Sequence, residues 1–346
     1  MAGFATGGVR AVREVAAGLR NTISSIPSGL GRSALATKQA PASLGQPTST
    51  AKSTGRRKYH VPTKIGYVYL APALIVYSLF LLVPFFHSVY LSLCTWDGIS
   101  KPEFVGLANY RAALSSPDVR EALRHAAVLI MFYAILTTAV AMVLVGIMGS
   151  MRVRGMSGYR ALLFLPYIIT PVVIGVVWRW LLSPNGPVNG ILRAIGLGRF
   201  TRAWLADFHW ALPSVGLIGT WMLYGLVIVL LLAAVQRIPE ELFEAARLDG
   251  AGPVREFFAI TLPGVRQELV VVLVLAVTAA LRNFDLIYVT TQGGPGTSTQ
   301  VLPWMVYQHA FQIGDIGLAA AMGVLLTLLI LVLTSLIAWI GAWRTS

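Results

Sequence analysis

Two residues of opposite charge, Arg282 and Asp285, lie in an apolar stretch that is long enough to cross a membrane. Because they are three residues apart, both side chains fall on one face of a helix, where a guanidinium and a carboxylate can pair. Ionisable side chains within membrane spans usually face an interior cavity. The pattern therefore predicts either a structural ion pair or a contact with a solute in such a cavity, and the sequence leaves both alternatives open.

The residue patterns of the common catalytic sites are absent from the sequence. The five histidines are scattered, and none forms the H-E-x-x-H spacing of a zinc site. There is no G-x-S-x-G nucleophile motif and no G-x-x-x-x-G-K-[ST] phosphate loop. Cys94 is the single cysteine, which excludes an internal disulfide and a cysteine metal site. We therefore expect no catalytic residue and no metal in this chain, and we expect ATP to be bound elsewhere.

A charged segment, residues 237–263, lies between two long apolar runs and is named the charged loop. Pro239 suits the first position of a helix, and two glutamates follow it in the first turn, where the helix dipole favours negative charge. Gly250 is a natural end for this helix, and Pro253 begins a second one. We therefore predict two short helices joined by a glycine turn.

Each predicted helix of the charged loop has an apolar face. The first face consists of Leu242, Phe243 and Ala246, and the second consists of Val254, Phe257 and Phe258. Glu244 and Arg247 are spaced to pair on the first helix. Because large apolar side chains outside a membrane need cover, we expect either the chain's own bundle or a separate subunit to pack against them.

The composition is that of a membrane protein. Charged residues make up 12% of the chain and hydrophobic residues 56%, whereas soluble domains contain about 25% charged residues. Six apolar runs are near the length that crosses a bilayer: Ile65–Leu93, Ala126–Ser150, Ala161–Leu182, Leu212–Val235, Leu269–Thr290 and Leu318–Trp343. We therefore predict an all-α polytopic membrane protein with six transmembrane helices, numbered spans one to six.

The distribution of lysine and arginine predicts how the spans are oriented. Basic residues fill the N-terminal segment, the connection between spans two and three, and the charged loop, whereas the connection from Thr291 to Gly317 has none. The two remaining outer connections are mixed and contain arginines. The rule still predicts that both termini and the charged loop are cytoplasmic.

Most of the net charge of +13 comes from the N-terminal segment. Residues 1–64 hold ten of the 27 lysines and arginines and one acidic residue, Glu14. Residues 1–60 are rich in small and polar residues and contain no run long enough to span a bilayer. We predict a basic, disordered cytoplasmic tail that is attracted to anionic membrane lipid and not to nucleic acid, followed by a membrane domain over residues 61–346.

The charged loop resembles the EAA loop of the permease subunits of ABC importers. The matching residues are Glu244, Ala245, Ala246, Asp249, Gly250, Ala251, Phe258, Leu262 and Pro263. The form with Asp-Gly-Ala is similar to that of the carbohydrate permeases of the maltose F-like and glycerol-3-phosphate A-like type. Three other stretches are similar to the same family: Phe104–Tyr110, Leu165–Trp178 with Pro184–Asn189, and Phe284 to Thr299. The resemblance covers about residues 60–346.

This resemblance implies a type I ABC importer permease fold in a bacterial inner membrane. It implies that the chain is a transport subunit and not an enzyme. A second permease subunit completes the pathway, an extracytoplasmic sugar-binding protein delivers the sugar, and two ATPase subunits bind ATP and Mg²⁺. The residues from Glu244 to Ala251 then couple ATP hydrolysis on those subunits to inward transport.

The polar and aromatic side chains within the spans include residues that suit a sugar site. Aromatic rings cover the C–H faces of a sugar, and amide or carboxylate groups bind its hydroxyls. The candidates are Trp221, Tyr224, Arg282, Asn283, Asp285 and Tyr288. Aromatic residues in spans also pack against neighbours or mark the membrane interface, and that alternative stays open.

Two other functions are compatible with the sequence. The same architecture can import another solute, such as glycerol-3-phosphate, another polyol or an amino acid. A polytopic membrane enzyme is the alternative from a different class. It requires a cluster of catalytic polar residues at one membrane depth, and the sequence offers only Arg282 and Asp285 for that purpose.

Overall fold

The computed structural model describes residues 63–150 and 156–343, and this part of the chain is mostly helical. The predictions for the N-terminal tail, residues 1–60, lie outside the described residues. The α-helices are Thr63–Tyr77, Val83–Leu91, Ala108–Ser115, Pro117–Ile130, Thr137–Ser150, Met156–Ile168, Pro171–Leu181, Pro187–Ala194, Ala211–Val235, Glu240–Leu248, Pro253–Glu256, Leu262–Gly264, Arg266–Leu281, Asp285–Thr290, Leu302–Tyr307 and Ile316–Trp343.

Other regular elements are short. Within the described residues, π-helical turns occupy Ser78–Leu82, Met131–Leu136, Phe257–Thr261 and Gln308–Ile313, and a 3₁₀ turn covers Gly198–Phe200. The strands Cys94–Thr95 and Glu103–Phe104 pair in antiparallel fashion, with Cys94 opposite Phe104. Apart from this two-stranded ribbon, the prediction of an all-α fold is confirmed.

Five helical segments of the described chain are long and apolar enough to cross a membrane. They are Tyr69–Leu91, Pro117–Gly146, Ala211–Val235, Arg266–Thr290 and Ile316–Ala342. They correspond to predicted spans one, two, four, five and six, and these numbers are kept for them. Span two begins at Pro117 and not at Ala126 as predicted. A bent pair of helices supplies span three, so the prediction of six spans holds when that pair is counted as one.

Span three differs from the single helix that the sequence predicts over Ala161–Leu182. Two segments, Ala161–Ile168 and Pro171–Leu181, meet at an angle of 99°. The ring of Pro171 disfavours a helical conformation for the preceding residue, and Thr170 is indeed extended, with φ −62° and ψ 143°. Pro171 itself is well placed at the start of the second helix, where its missing N–H costs nothing. The bend therefore follows from Pro171, which keeps Thr170 out of a helical conformation and begins the second helix.

Span four lies at the centre of the bundle. Of its most apolar window, 56% is buried, as expected for a helix that is hydrophobic on every face. Gly225 allows close approach to span three, because a Cβ at this position would meet the backbone carbonyl of Leu163. Spans two, four and five share one core, in which Leu129, Ile218 and Ile287 are each 0% or 1% exposed. Span one lies outside this core, with 0% of its window buried.

Two asparagines from the family-like stretches fix the connections on the predicted outer side. Asn109 donates through Nδ2 to two backbone carbonyls near the end of span one, at 2.8 and 3.0 Å. Asn189 is 1% exposed, donates to the carbonyl of Arg202 at 2.8 Å and accepts from Trp204 Nε1 at 2.9 Å. Because the chain itself binds the amide nitrogen of Asn109 and both polar atoms of Asn189, these residues position the connections between spans.

Candidate functional site

Span five is interrupted at Arg282, Asn283 and Phe284. One helix ends at Leu281, and the next begins at Asp285. Arg282 therefore lies at the carboxyl end of one helix and Asp285 at the amino end of another, where each charge complements the adjacent helix dipole. A broken helix within a membrane is tolerated where its backbone is buried in protein or lines a water-filled cavity. The break therefore marks this level of span five as a candidate binding site.

A cavity of about 280 Å³ lies beside the break and is named the membrane cavity. Spans two, four and five and the second half of span three form its walls. The lining residues are Tyr133, Pro171, Met222, Leu275, Thr278, Ala279, Arg282, Asn283, Phe284, Asp285 and Leu286. Arg282 and Asp285 are exposed in the isolated chain, so this chain alone does not close the cavity on their side.

The two charged residues of the membrane cavity do not neutralise each other through a direct contact. Among the described residues, ion pairs join other side chains, and none joins Arg282 to Asp285. The structural ion pair that the sequence allowed is therefore absent from this part of the chain. The helix ends account for both charges instead, and both groups face a cavity that contains no other charged side chain.

Two buried polar atoms in the cavity walls have no hydrogen-bond partner among residues 63–150 and 156–343. Tyr133 is 1% exposed and Asn283 is 7% exposed. The Tyr133 hydroxyl and Asn283 Nδ2 are both unpartnered. Leaving such groups unsatisfied is unfavourable, so each is suited to a ligand or to water. The sequence points to Asn283 but not to Tyr133, because a tyrosine in an apolar run has the same pattern as an aromatic residue that only packs.

Aromatic side chains continue the cavity wall on the predicted outer side. The ring of Phe284 lies 5.4 Å from the rings of both Tyr288 and Tyr307, measured between centroids. Trp304 and Phe311 extend this cluster through contacts with Tyr307 at 5.6 and 5.4 Å. Tyr288, a predicted site residue, thus belongs to an aromatic surface next to the cavity and is 39% exposed.

The remaining two predicted site residues, Trp221 and Tyr224, lie on span four and are not among the cavity-lining residues. Trp221 packs edge-on against Trp178 of span three, with ring centroids 5.5 Å apart. Tyr224 is partly buried against the core. Met222 lies between them in sequence and does line the cavity.

The charged loop has the two predicted helices and the predicted glycine turn. The first helix is Glu240–Leu248, so Pro239 precedes it and does not begin it. Gly250 has φ +76°, and its N–H donates to the carbonyl of Arg247 at 3.0 Å. The N–H of Ala251 donates to the carbonyl of Ala246 at 2.9 Å. These two bonds form a Schellman motif, which needs a left-handed residue at position 250.

A salt bridge joins the two helices of the charged loop across this turn. Arg247 Nε donates to Glu256 Oε1 at 2.9 Å, and Arg247 Nη2 donates to Glu256 Oε2 at 3.5 Å. This bond raises the pKa of Arg247 above its ordinary value, because the carboxylate stabilises the charged guanidinium. The partner of Arg247 is thus on the second helix, whereas the sequence suggested Glu244 on the same helix.

The second helix of the charged loop is fixed to the bundle, whereas the first is exposed. Phe257 packs against the end of span two, where a Cβ at Gly146 would lie 3.3 Å from its ring. Arg237 Nη2 lies 3.0 Å from Glu268 Oε1, which joins the end of span four to the start of span five. The first helix, in contrast, has no buried residue.

The charged loop leaves a group of large apolar side chains uncovered. Their exposed fractions are 52% for Leu242, 89% for Leu248, 71% for Val254 and 62% for Phe258. The expectation that another surface must cover them therefore remains open to a separate subunit. Glu244, Ala245 and Ala246 lie on the exposed helix, and Asp249, Gly250 and Ala251 form its end and the turn.

The sequence of this chain matches the profile of a known protein family. The profile of the family described as binding-protein-dependent transport system inner membrane component matches residues 122–345. The chain belongs to this family. It is therefore a membrane transport component, as the resemblance of the charged loop predicted, and the family segment contains both the charged loop and the membrane cavity.

Curated relatives of this transport component cover most of its length. The probable ABC transporter permease protein YurN of Bacillus subtilis is 35% identical over 273 residues, which cover 78% of this chain and 93% of that protein. The diacetylchitobiose uptake system permease protein NgcF of Streptomyces coelicolor is 34% identical, over 78% and 80% of the two chains. The trehalose/maltose transport system permease protein MalF of Thermococcus litoralis is 30% identical, over 84% and 98%.

The fold is also that of a solved permease. A chain of a bacterial ABC transporter involved in the import of the acidic polysaccharide alginate superimposes with a TM-score of 0.71 at 22% identity. The match covers 82% of this transport component and 96% of that chain. A second structure of the alginate transporter, in complex with an alginate pentasaccharide-bound periplasmic protein, matches with a TM-score of 0.68. The prediction of an ABC importer permease fold is thereby confirmed.

Proposed function

We propose that this chain is one of two permease subunits of an ABC importer that carries a neutral sugar inward across a bacterial inner membrane. The observation that carries the proposal is the membrane cavity, in which unpartnered polar groups and two separate charges lie beside a broken span. Relatives named for the transport of diacetylchitobiose and trehalose/maltose support the sugar as substrate class.

The charges of the membrane cavity favour a neutral solute over an anion. Its lining contains one guanidinium, at Arg282, and one carboxylate, at Asp285. Because these charges balance, the cavity offers donors and an acceptor without net attraction for a phosphate or carboxylate. A sugar hydroxyl can both donate and accept, which matches the donor at Asn283 Nδ2 and the acceptor oxygens of Asp285. The aromatic surface at Tyr288 and Phe284 suits the C–H face of a sugar ring.

The charged loop is proposed to be the contact with the ATPase subunits. The exposed helix Glu240–Leu248 presents its acidic first turn and the uncovered apolar residues to a partner. Glu244, Ala245, Ala246, Asp249, Gly250 and Ala251 are the residues we assign to coupling. ATP and Mg²⁺ are then bound by the partner ATPase, and this chain contributes no cofactor ligand of its own.

Coupling between loop and cavity follows from the anchoring of the second loop helix. Motion of the exposed helix is passed through the Arg247–Glu256 pair to the helix that carries Phe257, which rests on span two. Span two also supplies Tyr133 to the membrane cavity, and span five continues from the loop to the break at Arg282. Movement of the loop therefore displaces two cavity walls, as alternating access requires.

The proposed assembly contains this chain, a second permease subunit, two ATPase subunits and an extracytoplasmic sugar-binding protein. The second permease closes the side of the cavity at which Arg282 and Asp285 are exposed. Both termini and the charged loop are assigned to the cytoplasm from the distribution of basic residues.

The test is copurification of the tagged chain from its native membrane, followed by an ATPase assay. The assay uses the copurified binding protein with maltose, trehalose, lactose, diacetylchitobiose or glycerol-3-phosphate. We expect a second permease and an ATPase in the complex, with hydrolysis stimulated by at least one of the neutral sugars. Stimulation by glycerol-3-phosphate alone contradicts the neutral substrate, and a chain that purifies without an ATPase contradicts the proposed function as a whole.

A further inference from the structure

We propose that Tyr133 of span two is a solute-binding residue, whose hydroxyl forms a hydrogen bond with a hydroxyl group of the sugar in the membrane cavity. This inference rests on the proposed function and extends the site beyond the six residues predicted from the sequence. The donor at Asn283 Nδ2 is the second polar contact in the same cavity. Four observations support the assignment to Tyr133.

The first observation is that the Tyr133 hydroxyl is buried without a partner in a wall that lines a cavity. The residue is 1% exposed, and its oxygen has no hydrogen bond within the described chain. Phenylalanine would fill the same space without burying an unsatisfied hydroxyl. A buried hydroxyl of this kind is unfavourable in the empty protein and becomes favourable when a ligand pairs with it.

The second observation is that a local distortion of span two carries Tyr133. The π-helical turn Met131–Leu136 inserts a wider turn into the helix, and such turns are frequent at functional sites. The N–H of Thr137 donates to the carbonyl of Phe132, five residues earlier. That carbonyl also accepts the hydroxyls of Thr137 and Thr220, each at 3.0 Å. Three donors therefore stabilise the distortion that sets the position of Tyr133.

The third observation is that span four has glycines where the two rings of the distorted turn approach it. A Cβ at Gly216 would lie 2.6 Å from the ring of Phe132. A Cβ at Gly219 would overlap the phenol group of Tyr133, including its hydroxyl oxygen. The two glycines are nearly one helical turn apart, so they form a flat surface for the two rings. Tyr133 is therefore held in one place against a rigid neighbour, which is what a specific contact requires.

The fourth observation is that Tyr133 and Asn283 are chemically complementary to a sugar hydroxyl. The phenol can accept or donate one hydrogen bond, and the amide nitrogen can donate. Both residues line the membrane cavity, and they come from different spans. A solute that binds both groups therefore joins span two to span five, which connects binding to the relative position of two cavity walls.

The test compares Tyr133→Phe with a matched control, Thr138→Val. Thr138 lies five residues further along span two, and its hydroxyl is also buried without a partner in the part of the chain that the structure describes, but it does not line the cavity. The whole complex is purified without the binding protein, and equilibrium binding of tritiated maltose, trehalose, lactose and diacetylchitobiose is measured. For the sugar that stimulates ATP hydrolysis, we expect Tyr133→Phe to raise Kd by about 3- to 10-fold, as for loss of one neutral hydrogen bond. Thr138→Val should leave Kd unchanged.

Monodeoxy derivatives of that sugar identify the hydroxyl involved. We expect one derivative to bind the unmodified complex more weakly and to lose no further affinity with Tyr133→Phe, because both changes remove the same bond. The thermal midpoint of the empty Tyr133→Phe complex should not fall, which shows that the variant folds.

Two results separate this inference from the proposed function. If a sugar stimulates hydrolysis and binds equally to Tyr133→Phe and to the unmodified complex, the assignment of Tyr133 is wrong and the proposed function stands. If none of the sugars stimulates hydrolysis or binds, the proposed function fails and takes this inference with it.

Discussion

Replacement of Gly250 by serine tests whether the turn of the charged loop is needed for coupling. Gly250 has φ +76°, a backbone conformation that residues other than glycine rarely adopt, and a Cβ at this position meets nothing within 4 Å. The cost is therefore backbone strain alone, about 1–2 kcal/mol for an L-residue in the left-handed region. That energy changes the equilibrium constant between the closed turn and the frayed turn by a factor of about 5 to 30.

Gly252 offers the matched control, because it lies two residues away in the same turn. Its φ is −76° and its ψ is 170°, and a Cβ there also meets nothing within 4 Å. Gly252 is the N-cap of the second loop helix, a position at which serine is among the preferred residues. Gly252→Ser should therefore have no effect or a small stabilising effect, although it is the same substitution.

The assay titrates ATPase subunits into membranes that contain the permeases and measures both half-maximal assembly and sugar transported per ATP hydrolysed. We expect Gly250→Ser to raise the ATPase concentration needed for half-maximal assembly by no more than the factor of about 5 to 30. Transport per ATP should fall. Gly250→Asn should lie between serine and glycine, since asparagine tolerates the left-handed region better than most residues. If Gly250→Ser and Gly252→Ser behave alike, the turn geometry is not what matters and the coupling role of this segment is refuted.

Three further predictions concern the bundle, the cavity and the loop. Gly225→Val should lower the thermal midpoint of the solubilised chain, at a cost of about 1–3 kcal/mol from overpacking, because span three leaves no room for a side chain; an unchanged midpoint contradicts that contact. The double exchange Arg282→Asp with Asp285→Arg should abolish sugar transport, since each charge is stabilised by its own helix end. Transport by the double variant would instead reveal a functional ion pair. The raised pKa of Arg247 means that its pairing with Glu256 is fully present below the ordinary arginine pKa and is lost only as pH rises through the still higher folded value. Deprotonation of Arg247 should therefore cause no loss of coupling between about pH 7 and 9, whereas Glu256→Gln should weaken coupling throughout that range. The measurement is sugar transported per ATP hydrolysed at each pH. A ratio that falls across this interval in the unmodified complex but not in Glu256→Gln contradicts the role of the Arg247–Glu256 pair.

Much of the architecture follows from local sequence signals. The apolar runs locate the spans because backbone groups in a bilayer must be satisfied within a helix, which leaves few alternatives. The two helices and the turn of the charged loop were predictable, since Pro253 begins a helix well and Gly250 allows the left-handed conformation that ends one. Arg282 and Asp285 drew attention to the correct level of span five because charges are rare in apolar segments.

Other features depend on contacts that are distant in sequence. The bend of span three required Thr170 to become extended, whereas Pro166, also a proline in an apolar run, stays inside a helix. Tyr133 was missed because its importance comes from the π-helical turn and from Gly219 on span four. The pairing of Arg247 with Glu256 in place of Glu244 depends on how the two loop helices fold back on each other.

The proposed function makes this chain part of an ATP-driven sugar importer. The most direct measurement is uptake of radiolabelled sugar into proteoliposomes that contain the copurified complex, with loaded binding protein outside and ATP inside. We predict accumulation of sugar in the lumen only when ATP is present, and loss of that accumulation in complexes that contain Gly250→Pro. Absence of ATP-dependent accumulation, in a complex that contains both permeases and both ATPase subunits, would contradict the account.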